Sequence, residues 1–301
     1  MIDPVFLKNG ADRRTREILI GKLLTDYGFL SRQTIGETRC SRPIDLLCIG
    51  SRRRQVLFAS AFHGMEWITT LVLLRFMDEL CEAVKKGKSM CGVRVGTFLN
   101  QRGLAVVPCV NPDGVEIQLH GAECAGGYKE LVRQVSGGDT AHWQANAAGV
   151  DVNHNFSANW EELRRAETES GIDSPAPTRF GGAYPESEPE SRSLASYCRT
   201  GNIDHALAFH SQGEEIYWDF GTYRDPEALK MARIMSYSSG YTISEPEGLA
   251  CGGGFKDWFV EKFRRPAFTV EVGLGENPLP ATDTEGIYKK LREMLVLATV
   301  L

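Results

Sequence analysis

Short runs rich in apolar and β-branched residues alternate along this chain with segments whose apolar residues recur near the helical period. The first pattern predicts six strands, over 44–49, 55–61, 104–110, 206–210, 215–220 and 267–272. The second predicts amphipathic helices over about 14–28, 67–86, 187–200, 226–238 and 284–300. Such alternation is typical of an α/β fold, with a mostly parallel sheet covered by helices on both faces.

The stretch from about 121 to 185 differs from the rest of the chain because it is rich in Gly, Asn, Ser and Pro. We expect it to be a long excursion from the sheet, where functional loops usually gather. No internal repeat and no low-complexity linker divides the sequence. At 301 residues, the chain is therefore predicted to form one domain over 1–301.

Composition excludes several classes of protein. Hydrophobic residues make up 42% and charged residues 24%, which is ordinary for a globular chain and unlike a disordered or fibrous one. The chain carries 34 basic and 39 acidic residues, a net charge of −5. This balance gives no basic surface for nucleic acid or for an anionic membrane, so neither is expected as a partner. The oligomeric state is left open.

The termini and the cysteines bear on location. The first residues lack a basic stretch followed by an uninterrupted apolar run, and no window of about 18 apolar residues occurs. The eight cysteines include no C-x-x-C pair, and Cys48 and Cys109 fall inside apolar strands, where a buried free thiol is expected. These features predict a cytoplasmic protein.

A histidine and a glutamate follow the predicted strand 55–61, in the run Ala61-Phe-His63-Gly-Met-Glu66-Trp67. They fall at the carboxyl edge of the sheet, where open α/β sheets place their ligand sites. Three residues apart on a first helical turn, the two side chains point the same way. An imidazole and a carboxylate are two of the ligands of a catalytic zinc, although H-x-x-E alone also occurs by chance.

A second histidine could complete this set of ligands. His210 ends the predicted strand 206–210, again at the carboxyl edge. A spacing of 3 and then 144 residues is reasonable across a wound sheet. His120, His142 and His205 lie in less suggestive contexts, where surface or capping roles are expected.

Two acidic residues add to the picture. Glu271 lies inside the apolar strand 267–272. A carboxylate buried there must be paired with another group, have a raised pKa or serve a function. A buried glutamate is more often structural, but beside a metal-activated water it becomes a general base. Asp151, in Gly149-Val-Asp151-Val-Asn153, could accept the second N–H of a zinc-ligating histidine.

Five ordered blocks then resemble the zinc carboxypeptidase A type of metallopeptidase. They are His63-x-x-Glu66-Trp67, Asn111-Pro-Asp-Gly114, Gly149-Val-Asp151-x-Asn153, His210-Ser211 and Phe268-Thr-Val-Glu271. The resemblance implies a mixed, mostly parallel eight-stranded sheet and one Zn²⁺ held by His63, Glu66 and His210. It also implies that Glu271 is the base that activates water and that Asp151 orients His63.

The sequence departs from this family at the substrate-binding positions. Asn153 matches the family's motif asparagine, but the arginine that follows it and clamps the substrate carboxylate is replaced by His154. The arginine that stabilises the oxyanion aligns loosely with Gln144, an uncharged donor. The family's mobile tyrosine falls on Leu249. The position that sets the preference of the substrate pocket is Lys256, which either favours an anionic side chain or is a solvated helix lysine.

These departures, with the runs 210–218 and 180–190, resemble the bacterial branch of γ-D-glutamyl-L-diamino acid peptidases. Members cut the bond between γ-D-glutamate and meso-diaminopimelate in cell-wall peptides. The extra carboxylate of diaminopimelate suits Lys256. The resemblance therefore implies a muropeptide stem peptide as substrate.

Two alternatives stay open. An ordinary zinc carboxypeptidase with an acidic preference is the alternative enzyme, and a non-catalytic peptide-binding relative is the alternative outside enzymes. The presence of all three ligands and of Glu271 argues against the second. Neither a G-x-S-x-G elbow nor a Walker loop occurs in the sequence.

Overall fold

The computed structural model describes residues 9–245 and 252–301. In these two ranges the strands are β1 Ser31–Glu37, β2 Pro43–Ile49, β3 Gln55–Ser60, β4 Gly103–Val107, β5 Ile203–His210, β6 Glu215–Tyr217, β7 Thr242–Ile243 and β8 Ala267–Glu271. The α-helices are α1 Arg13–Asp26, α2 Ile68–Lys85, α3 Val95–Gln101, α4 Pro112–His120, α5 Lys129–Ser136, α6 Trp160–Glu169, α7 Pro189–Thr200, α8 Pro226–Ser239, α9 Phe255–Phe263 and α10 Thr284–Val300.

The strands form one eight-stranded sheet in the order β1-β2-β4-β3-β5-β8-β6-β7. Strand β3 pairs in parallel with β4 and β5, β5 pairs in parallel with β8, and β6 with β7. The pairs of β2 with β1 and β4, and of β6 with β8, are antiparallel. This confirms the mixed, mostly parallel sheet.

Helices cover both faces of the sheet, as the alternation of patterns predicts. One apolar cluster joins α1, α2, α8 and α10 to one face, and a second joins α7 and α9 to the other. Strand β3 is buried at all six positions because it lies at the centre, between both layers. The carboxyl ends of β3, β5 and β8 therefore meet at one edge of a rigid sheet.

Several elements differ from the sequence prediction. Strand β4 stops at Val107 instead of 110, since Pro108 has no N–H to donate to a ladder. Strand β6 stops at Tyr217 instead of 220. Strand β1 was not expected because its residues are mostly polar and partly exposed at the sheet edge. The stretch 121–185 contains helices α5 and α6 as well as loops.

The expectations for the cysteines, the membrane, the location and the domain number have different outcomes. Cys48 and Cys109 are buried free thiols, as predicted. Within the described ranges, no helix is both long enough and apolar enough to cross a membrane. A cytoplasmic location and a single domain over 1–301 stay predictions.

Candidate active site

His63 and Glu66 lie just beyond the carboxyl end of strand β3, on the short 3-10 turn Gly64–Glu66. The turn packs tightly, because a Cβ on Gly64 would come within 2.4 Å of the Gly114 carbonyl oxygen. His63 Nδ1 lies 2.8 Å from Glu66 Oε1. Burial opposes ionisation of Glu66, but the imidazoles of His63 and His210 lower its pKa to about 2.

His210 reaches the same carboxylate from the end of strand β5. Its Nδ1 lies 3.0 Å from Glu66 Oε2, and its ring stacks on Phe62 with 5.0 Å between centroids. One ligand atom from each of His63, Glu66 and His210 falls within 4.8 Å of the others. The sheet thus brings His210 together with Glu66, which lies 144 positions earlier in the sequence, and with His63.

Asp151 holds the other nitrogen of His63. Its Oδ1 lies 3.0 Å from His63 Nε2, and its Oδ2 accepts the backbone N–H of Arg179 at 3.0 Å. Burial alone would raise the pKa of this carboxyl, but His63, His154 and the N–H of Arg179 hold it far below its usual range. Because Asp151 occupies Nε2, the Nδ1 atom of His63 is the one available to a metal.

The donor set fits a zinc ion. Two imidazole nitrogens and a carboxylate oxygen are the ligands that catalytic zinc sites use, with a further position left for water or substrate. The hydrogen bond that His63 donates from Nε2 to Asp151 orients its imidazole, as is usual for zinc-ligating histidines. In the described part of the chain, His63, Glu66 and His210 form the group of residues that could hold a metal.

Glu271 lies beside this group at the end of strand β8. It is in register with His210 of β5 on one side and with Glu215 of β6 on the other. Burial, reinforced by the carboxylates of Glu66 and Glu215, raises the pKa of Glu271 well above its usual value. A carboxylate with a raised pKa beside a metal-binding group can accept a proton at neutral pH.

A cavity of about 160 Å³ joins these groups to the positions at which the sequence departs from its family. The described residues that line it are His63, Asn153, His154, His210, Tyr217, Gly252, Gly254, Lys256, Asp257, Thr269 and Glu271. Candidate ligands, candidate base and three of the candidate substrate-binding residues therefore share one cavity.

Lys256 is buried in this cavity, with 5% of its surface exposed. Its ammonium donates to the Asp219 carbonyl oxygen at 2.5 Å, forms an ion pair with Asp257 and lies 6.0 Å from the centre of the Phe220 ring. The interpretation of Lys256 as a solvated helix lysine is therefore wrong. Asp257 gave no signal of its own in the sequence, since an acidic residue in a first helical turn is common.

Asn153 and Gln144 differ in where the structure places them. Asn153 lines the cavity, and its Oδ1 accepts the N–H of Phe255, which opens helix α9. Gln144 is not among the described residues that line the cavity, and its Oε1 accepts the Thr178 hydroxyl. The role of Gln144 stays a prediction. Leu249 lies outside the described residues.

Tyr217 and Glu167 were missed from the sequence. Tyr217 lines the cavity from strand β6 and donates its hydroxyl to Glu215 Oε2 at 2.5 Å. Its alternation with Glu215 on a strand could have indicated a shared face. Glu167, on helix α6, lies 2.7 Å from His154 Nδ1. No sequence pattern connects Glu167 with His154.

Comparison with known families agrees with this geometry. A model of the family described as zinc carboxypeptidase matches residues 19–294. The chain belongs to this family and is a zinc-dependent metallopeptidase of the carboxypeptidase type.

Among individual relatives, the chain is 36% identical over 274 residues to gamma-D-glutamyl-L-diamino acid endopeptidase 1 of Lysinibacillus sphaericus, covering 90% of this chain and 67% of that protein. Two solved structures share the fold. Bovine thrombin-activatable fibrinolysis inhibitor, in complex with tick carboxypeptidase inhibitor, has a TM-score of 0.75 and 19% identity, covering 98% of this chain and 97% of that one. The murein-tripeptide amidase of Escherichia coli O157 has a TM-score of 0.56 and 20% identity, covering 89% and 92%.

Proposed function

We propose that this metallopeptidase hydrolyses the bond between γ-D-glutamate and meso-diaminopimelate in the stem peptides of cell-wall muropeptides. The observation that carries the proposal is the buried Lys256 ammonium, which lines the same cavity as His210 and Glu271. The similarity to a γ-D-glutamyl-L-diamino acid endopeptidase over 90% of the chain supports the same substrate class.

In this proposal His63 Nδ1, Glu66 and His210 Nδ1 hold one zinc ion, and Asp151 fixes the ring of His63. When bound, zinc polarises the scissile carbonyl and makes water a better nucleophile. Glu271 accepts the proton of the attacking water and delivers it to the leaving amine nitrogen. Its raised pKa suits both steps.

The leaving residue, diaminopimelate, carries a second carboxylate at the end of its side chain. Lys256 has three N–H donors, of which the carbonyl of Asp219 takes one, while the carboxylate of Asp257 forms an ion pair with the same ammonium. N–H donors are therefore left for a substrate carboxylate. The carboxylate of Asp257 beside it matches the ammonium that diaminopimelate carries on the same carbon.

Two further residues complete the proposed substrate site. Because the Oδ1 atom of Asn153 accepts the N–H of Phe255, its Nδ2 donors are the part that could contact substrate. The Thr178 hydroxyl donates to Gln144 Oε1, which leaves the Nε2 donors of Gln144 for an oxyanion, but Gln144 is not among the described residues that line the cavity. Gln144 is therefore the weaker member of the set.

The alternative activity is that of an ordinary carboxypeptidase that removes an acidic C-terminal residue. Lys256 favours this activity as well, because a C-terminal aspartate or glutamate also places a carboxylate in the pocket. The two activities differ in the bond that is cut and in the need for a free terminal carboxylate. Membership of a peptidase family and the position of Glu271 speak against the non-catalytic alternative.

The experiment is to incubate the zinc-loaded protein with L-alanyl-γ-D-glutamyl-meso-diaminopimelate and with α-linked peptides that end in glutamate. Each peptide is supplied with its terminal carboxylate free or amidated, and products are identified by mass spectrometry. We expect release of diaminopimelate from the γ-linked peptide. Cleavage of the α-linked peptides alone, abolished by amidation, would establish the ordinary carboxypeptidase instead.

A further inference from the structure

We propose that Glu167 is a positioning residue that fixes the His154 imidazole in the cavity wall as a hydrogen-bond donor to a carboxylate of the residue after the scissile bond. The choice of that residue rests on the proposed function. The proposal itself rests on a buried chain of contacts that runs from helix α6 to the cavity.

The carboxylate of Glu167 is fully buried and is fixed by several partners. Its Oε1 lies 2.7 Å from His154 Nδ1. Its Oε2 forms an ion pair with Arg164 and accepts the backbone N–H of Gly181 at 3.0 Å. With both oxygens engaged, the carboxylate has little freedom to turn, so it sets the orientation of the imidazole.

His154 ends the 3-10 turn Val152–His154 and lines the cavity. Its Nδ1 is satisfied by Glu167 and lies 3.2 Å from the carbonyl oxygen of Arg179. In the described part of the chain, no hydrogen bond engages its Nε2. The ring therefore keeps one nitrogen for a ligand, and Glu167 determines where that nitrogen is.

The charges around the ring favour its protonated form. Glu167 and Asp151 are the acidic groups that act on it, and His63 opposes a further positive charge. Arg164 forms an ion pair with Glu167. Burial lowers the pKa of His154, but the two carboxylates outweigh burial and raise it. A protonated ring donates from Nε2, and its natural acceptor is an anionic oxygen.

We expect the single N–H donor of His154 to bind a carboxylate more weakly than the two parallel N–H donors of an arginine guanidinium would. Removal of one charge-assisted hydrogen bond typically weakens binding about 10- to 100-fold. Because no hydrogen bond, ion pair or ring contact joins His154 to the metal-binding group or to Glu271 in the described part of the chain, the loss should fall on KM and leave kcat within about threefold.

The test compares His154→Gln, Glu167→Gln and the double variant with wild type, on one substrate with its terminal carboxylate free or amidated. Glu162→Gln is the matched control, since Glu162 is on the same helix and 61% exposed. We expect both single variants to raise KM about 10- to 100-fold for the free substrate only. The double variant should be no worse than His154→Gln, and the control unchanged.

Several results would overturn the proposal. One is an equal effect on free and amidated substrates, another is a loss in kcat rather than KM, and a third is a His154→Gln enzyme that still prefers the free carboxylate. Thermal melts identify a variant that fails to fold. If Glu167→Gln does so, Glu167→Asp, which keeps the charge but withdraws it from His154 Nδ1, takes its place with the same expected rise in KM, and an unchanged KM overturns the positioning role. The comparison is run on whichever peptide wild type cuts, so cleavage confined to α-linked peptides refutes the proposed function without deciding this inference.

Discussion

The residues of the cavity are held in place in two different ways. The candidate ligands and Glu271 lie at or just beyond the ends of strands β3, β5 and β8, so that the hydrogen-bonded ladders between these strands set their spacing, while Asp151 orients the ring of His63. His154 and Lys256 lie on a short 3-10 turn and on helix α9, and each is held by a buried carboxylate. We call the first group the strand-end group and the second the ion-paired group.

The difference has a physical consequence. A ladder of backbone hydrogen bonds does not depend on which side chains the strands carry, so the strand-end group can keep its geometry while the rest of the site changes. A buried ion pair costs desolvation and is lost when either partner changes, so the ion-paired group depends on particular residues. We infer that the strand-end group carries the chemistry and the ion-paired group the choice of substrate.

The largest expected effect is loss of the metal from the strand-end group. His63→Ala or His210→Ala removes one of three protein ligands, so each variant should lose stoichiometric zinc and all measurable turnover. Metal analysis of the purified protein, expected to give about one zinc per wild-type chain, is the measurement. Full zinc content in either variant would show that the ligands are assigned wrongly.

Next in size is the substitution Glu271→Gln. The amide cannot accept a proton, so we expect kcat to fall about 10²- to 10⁴-fold while zinc content stays at the wild-type level. Steady-state kinetics and metal analysis on the same preparation check both statements. An active glutamine variant would move the role elsewhere, and Glu215, in register with Glu271, would be examined first.

A smaller effect is expected in the ion-paired group. Lys256→Ala should lower kcat/KM about 10- to 100-fold for the diaminopimelate peptide and leave the γ-D-glutamyl-lysine peptide nearly unchanged. Lys256→Met keeps the volume of the side chain and controls for lost packing. If the alanine variant retains a preference for diaminopimelate, selectivity comes from the stretch 121–185, where Arg179 is the next candidate.

The smallest effect on turnover is expected from Glu190→Gln, a substitution on helix α7. It changes how the stability of the fold depends on pH. Glu190 is fully buried beside Asn146, and burial, with the carboxylates of Asp113 and Glu188, raises its pKa to about 8. The Glu190 carboxyl ionises near pH 4.5 in the unfolded chain and has a pKa of about 8 in the folded one. The folded state therefore holds the proton more tightly, so the wild-type protein loses stability as pH rises between these values.

The Glu190→Gln variant has no carboxyl group to ionise at this position, so it does not lose stability in this way as pH rises. Relative to wild type it should gain up to about 3 kcal/mol in unfolding free energy between pH 5 and pH 7. Urea denaturation at both pH values measures the gain, with the exposed Glu162→Gln as control. A gain of the same size at pH 5 and pH 7 would contradict the raised pKa of Glu190.

The same division explains what could be predicted from the sequence. His63, Glu66, His210 and Glu271 follow or end apolar strands, and the edge of a parallel sheet is a place that periodicity can locate. The contact of Glu167 with His154 depends on how helix α6 packs, and the burial of Lys256 depends on Asp219 and Asp257. Neither leaves a local pattern. Strand β1 was missed for a related reason, because its partly exposed residues lack apolar alternation.

The most direct test of the proposed function is the ratio of kcat/KM for γ-D-glutamyl-meso-diaminopimelate and γ-D-glutamyl-L-lysine peptides in the zinc-loaded wild-type protein. The two leaving residues differ by one carboxylate, the group that the Lys256 ammonium is proposed to bind. We predict a preference of about 10- to 100-fold for the diaminopimelate peptide. Equal cleavage of the two peptides would contradict the assignment of Lys256 and, with it, the choice of substrate.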